Sequence, residues 1–100
     1  MDRPEYKLRL RINERMVYRV LIDQHYQEKH SDLNDQTILE LVKKLDGQSF
    51  PVEMIRGEFE YFRAEPVMLN QKPYRVVMVL CISDDFLGVV NAFRVDEENL

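Results

Sequence analysis

The sequence predicts a single α+β domain over residues 1–100, in which two helices pack on an antiparallel sheet. Three observations predict this fold class. Apolar and basic residues alternate over 6–12, apolar residues then recur at three- and four-residue spacing over 14–45, and the second half is dense in β-branched and aromatic residues. Alternation is typical of strands and the longer spacing of helices. The expected order is therefore β-α-α followed by three or four strands.

The first half contains one strand and both helices. Residues 6–12 form a strand with one buried apolar face and one solvated basic face. Asn13 can cap a first helix over 14–29, because its side chain can accept hydrogen bonds from the amides of the first turn. A second helix follows, with its apolar residues over 38–45, and Gly47 lies where a left-handed residue commonly ends a helix.

The second half consists of strands. The candidates are 50–55, 59–62, 74–82 and 86–95. Pro66 and the turn residues 70–73 limit how far the second candidate extends, since proline cannot donate a ladder hydrogen bond. The strand 74–82 is the strongest in the chain, and we expect the acidic turn 83–85 to join it to 86–95 as an antiparallel hairpin.

Strand 74–82 is apolar on both faces, so both faces need cover. The residues that alternate from Tyr74 to Ile82 and those that alternate from Val77 to Cys81 are all hydrophobic. Two helices cover only one face of a small sheet, and the other face must meet loops of the same chain, a second copy or a partner. A homodimer is the preferred prediction, with loops over a central strand as an equally simple explanation.

The balance of charge counts against a dedicated nucleic-acid binder. The chain carries 18 acidic and 14 basic residues, a net charge of −4, whereas nucleic-acid-binding domains are usually basic. Six of the basic residues nevertheless fall within 1–19, which leaves a local basic stripe open. RNA is therefore a disfavoured partner, and a protein partner or a second copy is preferred.

The sequence predicts neither a membrane segment nor an exported chain. The longest apolar run, 76–82, is far shorter than the roughly 20 residues that span a bilayer, and the N-terminus lacks the apolar stretch of a signal peptide. Cys81 is the only cysteine and lies within that run, which predicts a buried thiol. These features favour a cytoplasmic protein.

Few residues have the spacing that catalysis or metal binding requires. His25 and His30 are five residues apart, whereas two ligands on one helix face lie four apart, and no further cysteine or histidine completes a set. We therefore predict no metal and no cofactor. His30 falls at a helix end and is the better candidate for a general acid or base, although a solvated helix end explains both histidines more simply.

Two arginines stand at the ends of the predicted hairpin. Arg75 opens the most apolar strand and Arg94 closes the last one. Such charges either reach water and pair with acids such as Glu65, or form a pair of guanidiniums that grips phosphate or carboxylate. The aromatic residues within 59–62 could stack on bases, but a core position is the favoured interpretation.

The hairpin also carries a family resemblance. Tyr74-Arg75-Val76-Val77-Met78-Val79, followed by Gly88-Val89-Val90-Asn91-Ala92-Phe93-Arg94, resembles the C-terminal hairpin of the RelE/ParE toxin superfamily, and so does the predicted order of elements. The resemblance implies a small bacterial domain of toxin–antitoxin type. It also implies that Arg75 and Arg94 match the arginines that hold mRNA phosphate in ribonuclease members, where fixed positive charge stabilises the transition state.

The chain departs from the ribonuclease members in two places. The strand before the hairpin reads Glu58-Phe59-Glu60-Tyr61-Phe62-Arg63 where those proteins place lysines, and Asp96-Glu97-Glu98 follows where tyrosine, histidine or basic residues are expected. We therefore expect a RelE/ParE-like domain that acts by macromolecular binding, with ribonuclease activity as an open alternative. A stand-alone, homodimeric regulatory or structural protein is the competing prediction. The predicted site residues are Arg75, Arg94 and His30.

Overall fold

A computed structural model describes residues 3–30 and 32–95, so the acidic segment 96–98 lies outside the described residues. The strands are β1 (Glu5–Ile12), β2 (Arg15–Ile22), β3 (Met54–Arg56), β4 (Phe59–Leu69), β5 (Lys72–Cys81) and β6 (Phe86–Arg94). Between β2 and β3 lie a 3₁₀ helix (Gln24–Glu28) and one α-helix, α1 (Asp35–Lys43). The α+β class is confirmed, but the prediction of two helices is wrong.

The segment predicted as the first helix, 14–29, forms strand β2 and then the 3₁₀ helix. Asn13 and Glu14 both have positive φ, 51° and 63°, which is the backbone of a two-residue β-hairpin turn. The apolar spacing over 16–21 fits a helix or a bulged strand, and the turn together with the β-branched residues decides for the strand. Asn13 is therefore a turn residue instead of a helix cap.

The second predicted helix is confirmed as α1. Its N-terminus is capped by Asn34, whose side-chain oxygen accepts the Thr37 N–H at 2.8 Å. Gly47 has a φ of 86°, the left-handed conformation expected after a helix. No helix in the described part of the chain is long and apolar enough to cross a membrane.

All six strands belong to one sheet, in the order β1-β2-β6-β5-β4-β3. β2 and β6 pair in parallel, while the other neighbours are antiparallel, including the predicted β5–β6 hairpin. The expectation of a purely antiparallel sheet is therefore wrong at one junction. The long connection through α1 and β3–β5 is what lets β6 return beside β2 in the same direction.

Strand β4 is longer than predicted and β3 is shorter. β4 continues through Pro66, since a register shift between Ala64 and Val67 takes the proline out of the regular ladder. The residues 50–53 precede β3, and Pro51 there has no N–H to donate to a sheet.

One face of the sheet packs on α1 and the 3₁₀ helix, and it contains the core. Asp35, the first residue of α1, accepts hydrogen bonds from the Tyr6 and Tyr26 hydroxyls at 2.5 and 2.7 Å and from the Gln24 amide at 3.0 Å. Partial burial raises the pKa of Asp35, but these three hydrogen bonds outweigh it and hold that pKa below its usual value. The network ties β1 and the 3₁₀ helix to α1.

Candidate functional site: the open face of the sheet

The sheet has a second face that α1 does not cover, which we call the open face. On β5, Arg75, Val77 and Val79 alternate with core residues and point to this face. Directly opposed residues of neighbouring strands share a face, so the pairing of Val79 with both Tyr61 and Gly88 extends it to β4 and β6. Its residues include Leu21, Met54, Phe59, Tyr61, Val77, Val79, Phe86, Gly88, Val90 and Phe93, with Arg19, Arg56, Arg63 and Arg75.

Hydrophobic side chains on the open face remain accessible to solvent. Phe59 is 39% exposed and Met54 is 42% exposed. Two hollows meet at Tyr61, one of about 390 Å³ that extends to Phe86 and one of about 500 Å³ that extends to Phe93. Together they form an apolar groove across β4, β5 and β6, and the loops of the described residues do not fill it.

The aromatic residues of β4 divide between the two faces. Phe62 is only 1% exposed, so its favoured core position is confirmed. The same expectation is wrong for Phe59 and Tyr61, which line the groove. In a strand, side chains alternate between the two faces, so residues 59 and 61 lie on the face opposite to residue 62. This alternation was the sequence signal that could have identified Phe59 and Tyr61 as groove residues.

Gly88 shapes the bottom of the groove. A Cβ atom at this position would lie 2.7 Å from Cγ1 of Val79 on the neighbouring strand. Non-bonded carbon atoms prefer separations of roughly 3.5–4.0 Å. The absence of a side chain therefore lets β5 and β6 pack closely beneath the hollow.

Arg75 lies at one end of the open face and is held by two neighbours. Its Nε donates to Oε1 of Glu65, and its Nη2 donates to Oε2 of the same carboxylate at 2.9 Å. The guanidinium carbon also lies 5.2 Å from the centre of the Phe93 ring. The hydrogen bond from Arg75 holds the pKa of Glu65 below its usual value.

The structure brings two of the three predicted site residues to one aromatic ring. His30 stacks on Phe93, with ring centroids 5.1 Å apart and an interplanar angle of 20°, and Arg75 contacts the same ring. Arg94 instead lies opposite the core residue Tyr74. Arg94 is therefore on the face that packs on α1, away from Arg75.

Two other arginines of the open face are paired with carboxylates too. Arg63 donates to Glu53 at 3.0 Å. Arg19 reaches three carboxylates, those of Glu5, Asp84 and Asp85, at 2.9, 2.8 and 3.0 Å respectively. Arg56, opposite Phe59, forms no ion pair with the described residues. Internal carboxylates thus offset part of the positive charge around the groove.

Strand β1 carries positive charges that differ from the arginines above in having no ion-pair partner among the described residues. Lys7, Arg9 and Arg11 are exposed and alternate with core residues, and they form no ion pair with any residue in 3–30 or 32–95. Lys7 lies opposite Arg19 of the open face. We call these three residues the basic strip, and they form the local stripe that the sequence left open.

The remaining candidates from the sequence offer little for metal binding. Cys81 is buried, as predicted. His25 is in the 3₁₀ helix and His30 follows it. Among the described residues, no three His, Cys, Asp or Glu side chains gather as a metal site would require.

Comparison with known proteins adds no relative to this geometry. No family model, no curated protein and no solved structure matches the chain. The open face and the sequence pattern of the hairpin are therefore the features that bear on function.

Proposed function

We propose that the chain is a RelE/ParE-like domain of toxin–antitoxin type that acts by binding a protein on its open face. The observation that carries the proposal is the apolar groove beside Phe59, Tyr61 and Phe86, which stays exposed while the other face of the same sheet is buried in the core. An exposed apolar patch on a small protein commonly marks an interaction surface.

The order of elements supports the family part of the proposal in part. β1, α1 and the strands β4–β6 follow the strand, the second helix and the last three strands that the resemblance implies, whereas β2 and the 3₁₀ helix occupy the segment where the first helix was expected. β3 is a short edge strand beside β4. The hairpin that carries the resemblance, β5–β6, lies at the centre and contributes to the groove.

The charges around the groove favour a protein over RNA. Arg63 and Arg75 are already paired with carboxylates, which weakens their attraction for phosphate. The basic strip has no ion pair within residues 3–30 and 32–95 and lies on the same side of the sheet. The expected partner is therefore an amphipathic protein segment that places apolar side chains in the groove and acidic side chains beside the basic strip.

Selection from displayed fragments of the source genome tests the binding proposal. The purified chain is the bait, and the affinity of each enriched fragment is then measured by calorimetry. We expect enriched fragments to combine apolar residues with net negative charge. Phe59→Ser should weaken the binding of these fragments by about tenfold or more, because a few side chains at the centre of an interface contribute most of the binding energy.

Ile82→Ser is the matched control for that experiment. Ile82 is 52% exposed but lies outside the two hollows, so its loss should leave binding unchanged. If Phe59→Ser and Ile82→Ser behave alike, or if the enriched fragments are basic, the open face is not the binding surface.

Expression in a bacterial host tests the toxin part separately. We expect induction of the wild-type chain to arrest growth, and co-expression of the selected fragment to relieve the arrest. Normal growth with the folded chain present would contradict a toxin in that host and leave the binding data standing.

A second copy of the chain is the alternative occupant of the groove, as a stand-alone homodimeric protein requires. Light scattering of the purified chain measures its mass directly. A dimer that Phe59→Ser dissociates would favour this alternative and contradict the heterologous partner. A monomer would favour the protein-partner proposal.

A further inference from the structure

Strand β1 is an edge of the sheet, and every second residue directs its backbone N–H and C=O away from the other strands. β1 pairs only with β2. The Ile22 N–H donates to the Pro4 carbonyl, so residue 4 faces β2, whereas Gly47 donates to the Arg11 carbonyl from the outer side. Burial alternates without a break over Glu5–Ile12, across the register shift with β2. The odd-numbered residues of β1 therefore face outward.

A loop covers the outer side of β1 at one end only. The side chain of Asp46 accepts the Arg11 N–H at 2.8 Å, and Gly47 donates to the carbonyl of the same arginine at 2.7 Å. The backbone N–H and C=O groups of Glu5, Lys7 and Arg9 have no hydrogen-bond partner among the described residues. An open edge of this kind is a template on which one more strand can pair.

The side chains along this edge determine what such a strand would contact. Lys7 and Arg9 belong to the basic strip and lie on the open face, while the half-buried Tyr6 and Leu8 pack against the core on the other face. Directly opposed residues of neighbouring strands share a face. An added strand would therefore place one set of side chains beside the two charges and the alternate set beside the two apolar residues.

The same charges exclude two other occupants of the edge. A second copy of β1 would set two rows of positive charge against each other, and like charges on neighbouring strands destabilise a sheet. The phosphates of a nucleic acid accept hydrogen bonds but cannot donate to the outward carbonyl groups. A protein strand with acidic side chains satisfies both the charges and the backbone.

We propose that β1 accepts a strand from a partner protein, and that acidic and apolar residues alternate in this strand. The acidic side chains lie on the open face beside Lys7 and Arg9, and the apolar side chains cover Tyr6 and Leu8. Antiparallel pairing is expected, because it is slightly more stable per residue than parallel pairing. The inference rests on the protein partner proposed above, and it gives the acidic part of that partner a backbone conformation and a sequence pattern.

A short synthetic peptide of alternating Glu and Val, with both ends blocked, is the probe. In an NMR titration at low salt, we expect the amide signals of Lys7 and Arg9 to shift and their N–H groups to exchange more slowly with solvent. The N–H of Leu10 faces β2 and should change little. A peptide of the same composition, with all Glu before all Val, should bind about tenfold or more weakly, because its acids cannot all lie on one face.

N-methylation of the peptide distinguishes an added strand from simple charge attraction. In an antiparallel pair the N–H groups of the Glu residues face β1, whereas those of the Val residues face solvent. Methylation of the Glu nitrogens should weaken binding by about tenfold or more, through lost hydrogen bonds. Methylation of the Val nitrogens keeps the charge and should change binding little. The reverse order would support an added strand but contradict its antiparallel direction.

Variants of the chain locate the peptide on β1. Lys7→Gln combined with Arg9→Gln should weaken binding of the alternating peptide by about tenfold, and by less at high salt. Lys43→Gln combined with Lys44→Gln removes the same charge at the exposed end of α1 and should leave binding unchanged. Phe59→Ser on β4 should also leave it unchanged, because three strands separate β4 from β1.

The proposal is overturned if the alternating peptide does not bind, if the two N-methylated peptides bind alike, or if amide exchange at Lys7 and Arg9 is the same with and without peptide. Equal binding of the two peptide sequences would show a surface that attracts any anion, RNA included, and would overturn it as well. Any of these results with groove-dependent fragment binding intact contradicts the added strand alone. Peptide binding that persists when no fragment binds the groove contradicts the open-face proposal alone.

Discussion

The two faces of the sheet both carry apolar side chains but have different surroundings. On β5, Met78 is fully buried against the core, whereas its neighbour Val77 is only partly buried and lines the groove. Both side chains are apolar and belong to one strand. The difference is that α1 covers one face and leaves the other to solvent. An apolar pattern in a sequence therefore predicts that a sheet face is shielded from water. It does not predict whether the same chain or a partner shields it.

The largest difference in stability is expected when one phenylalanine on each face is replaced. Phe62 is 1% exposed and Phe59 is 39% exposed, on the same strand. We expect Phe62→Ala to lower the free energy of unfolding by about 3–5 kcal/mol, through lost burial and a cavity. Phe59→Ala should lower it by about 1–2 kcal/mol, because Phe59 is already 39% exposed. Urea denaturation of both variants measures the difference, and equal losses would show that the open face is covered in the free chain.

The next largest effect concerns the polar network of the core face. Asp35→Asn should lower the free energy of unfolding by about 1–3 kcal/mol, because the two tyrosine hydroxyls and the Gln24 amide lose a charged acceptor. The pKa of Asp35 is lower in the folded chain than its ordinary value of 3.8. Its stabilisation is therefore present above pH 3.8 and is lost as the pH falls through the folded pKa. Acid titration of unfolding should show a smaller slope in Asp35→Asn than in the wild type.

A smaller effect is expected where the two central strands pack closely. Gly88→Ala brings a methyl group against Val79, and overpacking of this kind should destabilise the fold by about 1 kcal/mol. Val79→Ala removes the atom that clashes. In a double-mutant cycle, the double variant should therefore lose less free energy of unfolding than the sum of the two single losses. Strictly additive losses would contradict the close approach of Gly88 and Val79.

The smallest effect on stability is expected at the basic strip. Each residue of the basic strip can be replaced separately, as Lys7→Gln, Arg9→Gln and Arg11→Gln. Each change removes an exposed charge that has no partner among the described residues, so it should change the free energy of unfolding by less than about 0.5 kcal/mol. The triple variant should nevertheless weaken binding of an acidic fragment, and more so at low salt. Unchanged binding at low salt would remove the basic strip from the interface.

The sequence predicted the elements whose signals are local. The apolar stripe of α1 and the left-handed Gly47 were foreseen because neighbouring residues determine them. The segment 14–29 was misassigned because its apolar spacing fits two structures, and only the backbone of the Asn13–Glu14 turn separates them. The parallel pairing of β2 with β6 depends on distant parts of the chain, which no local pattern reports.

The candidate site was predicted in part for the same reason. The apolar residues on both faces of strand β5 predicted that its second face also contacts other groups. The separation of Arg75 from Arg94 depends on the register of two strands and on a bulge between Val77 and Met78.

Methyl NMR of the chain with a selected fragment tests the central claim most directly, since it reports on both faces at once. The account predicts that the fragment shifts the methyl signals of Met54 and Val77 on the open face and leaves those of Met78 and Ile38 in the core nearly unchanged. Shifts confined to side chains around α1, with the signals of the groove unaltered, would contradict it.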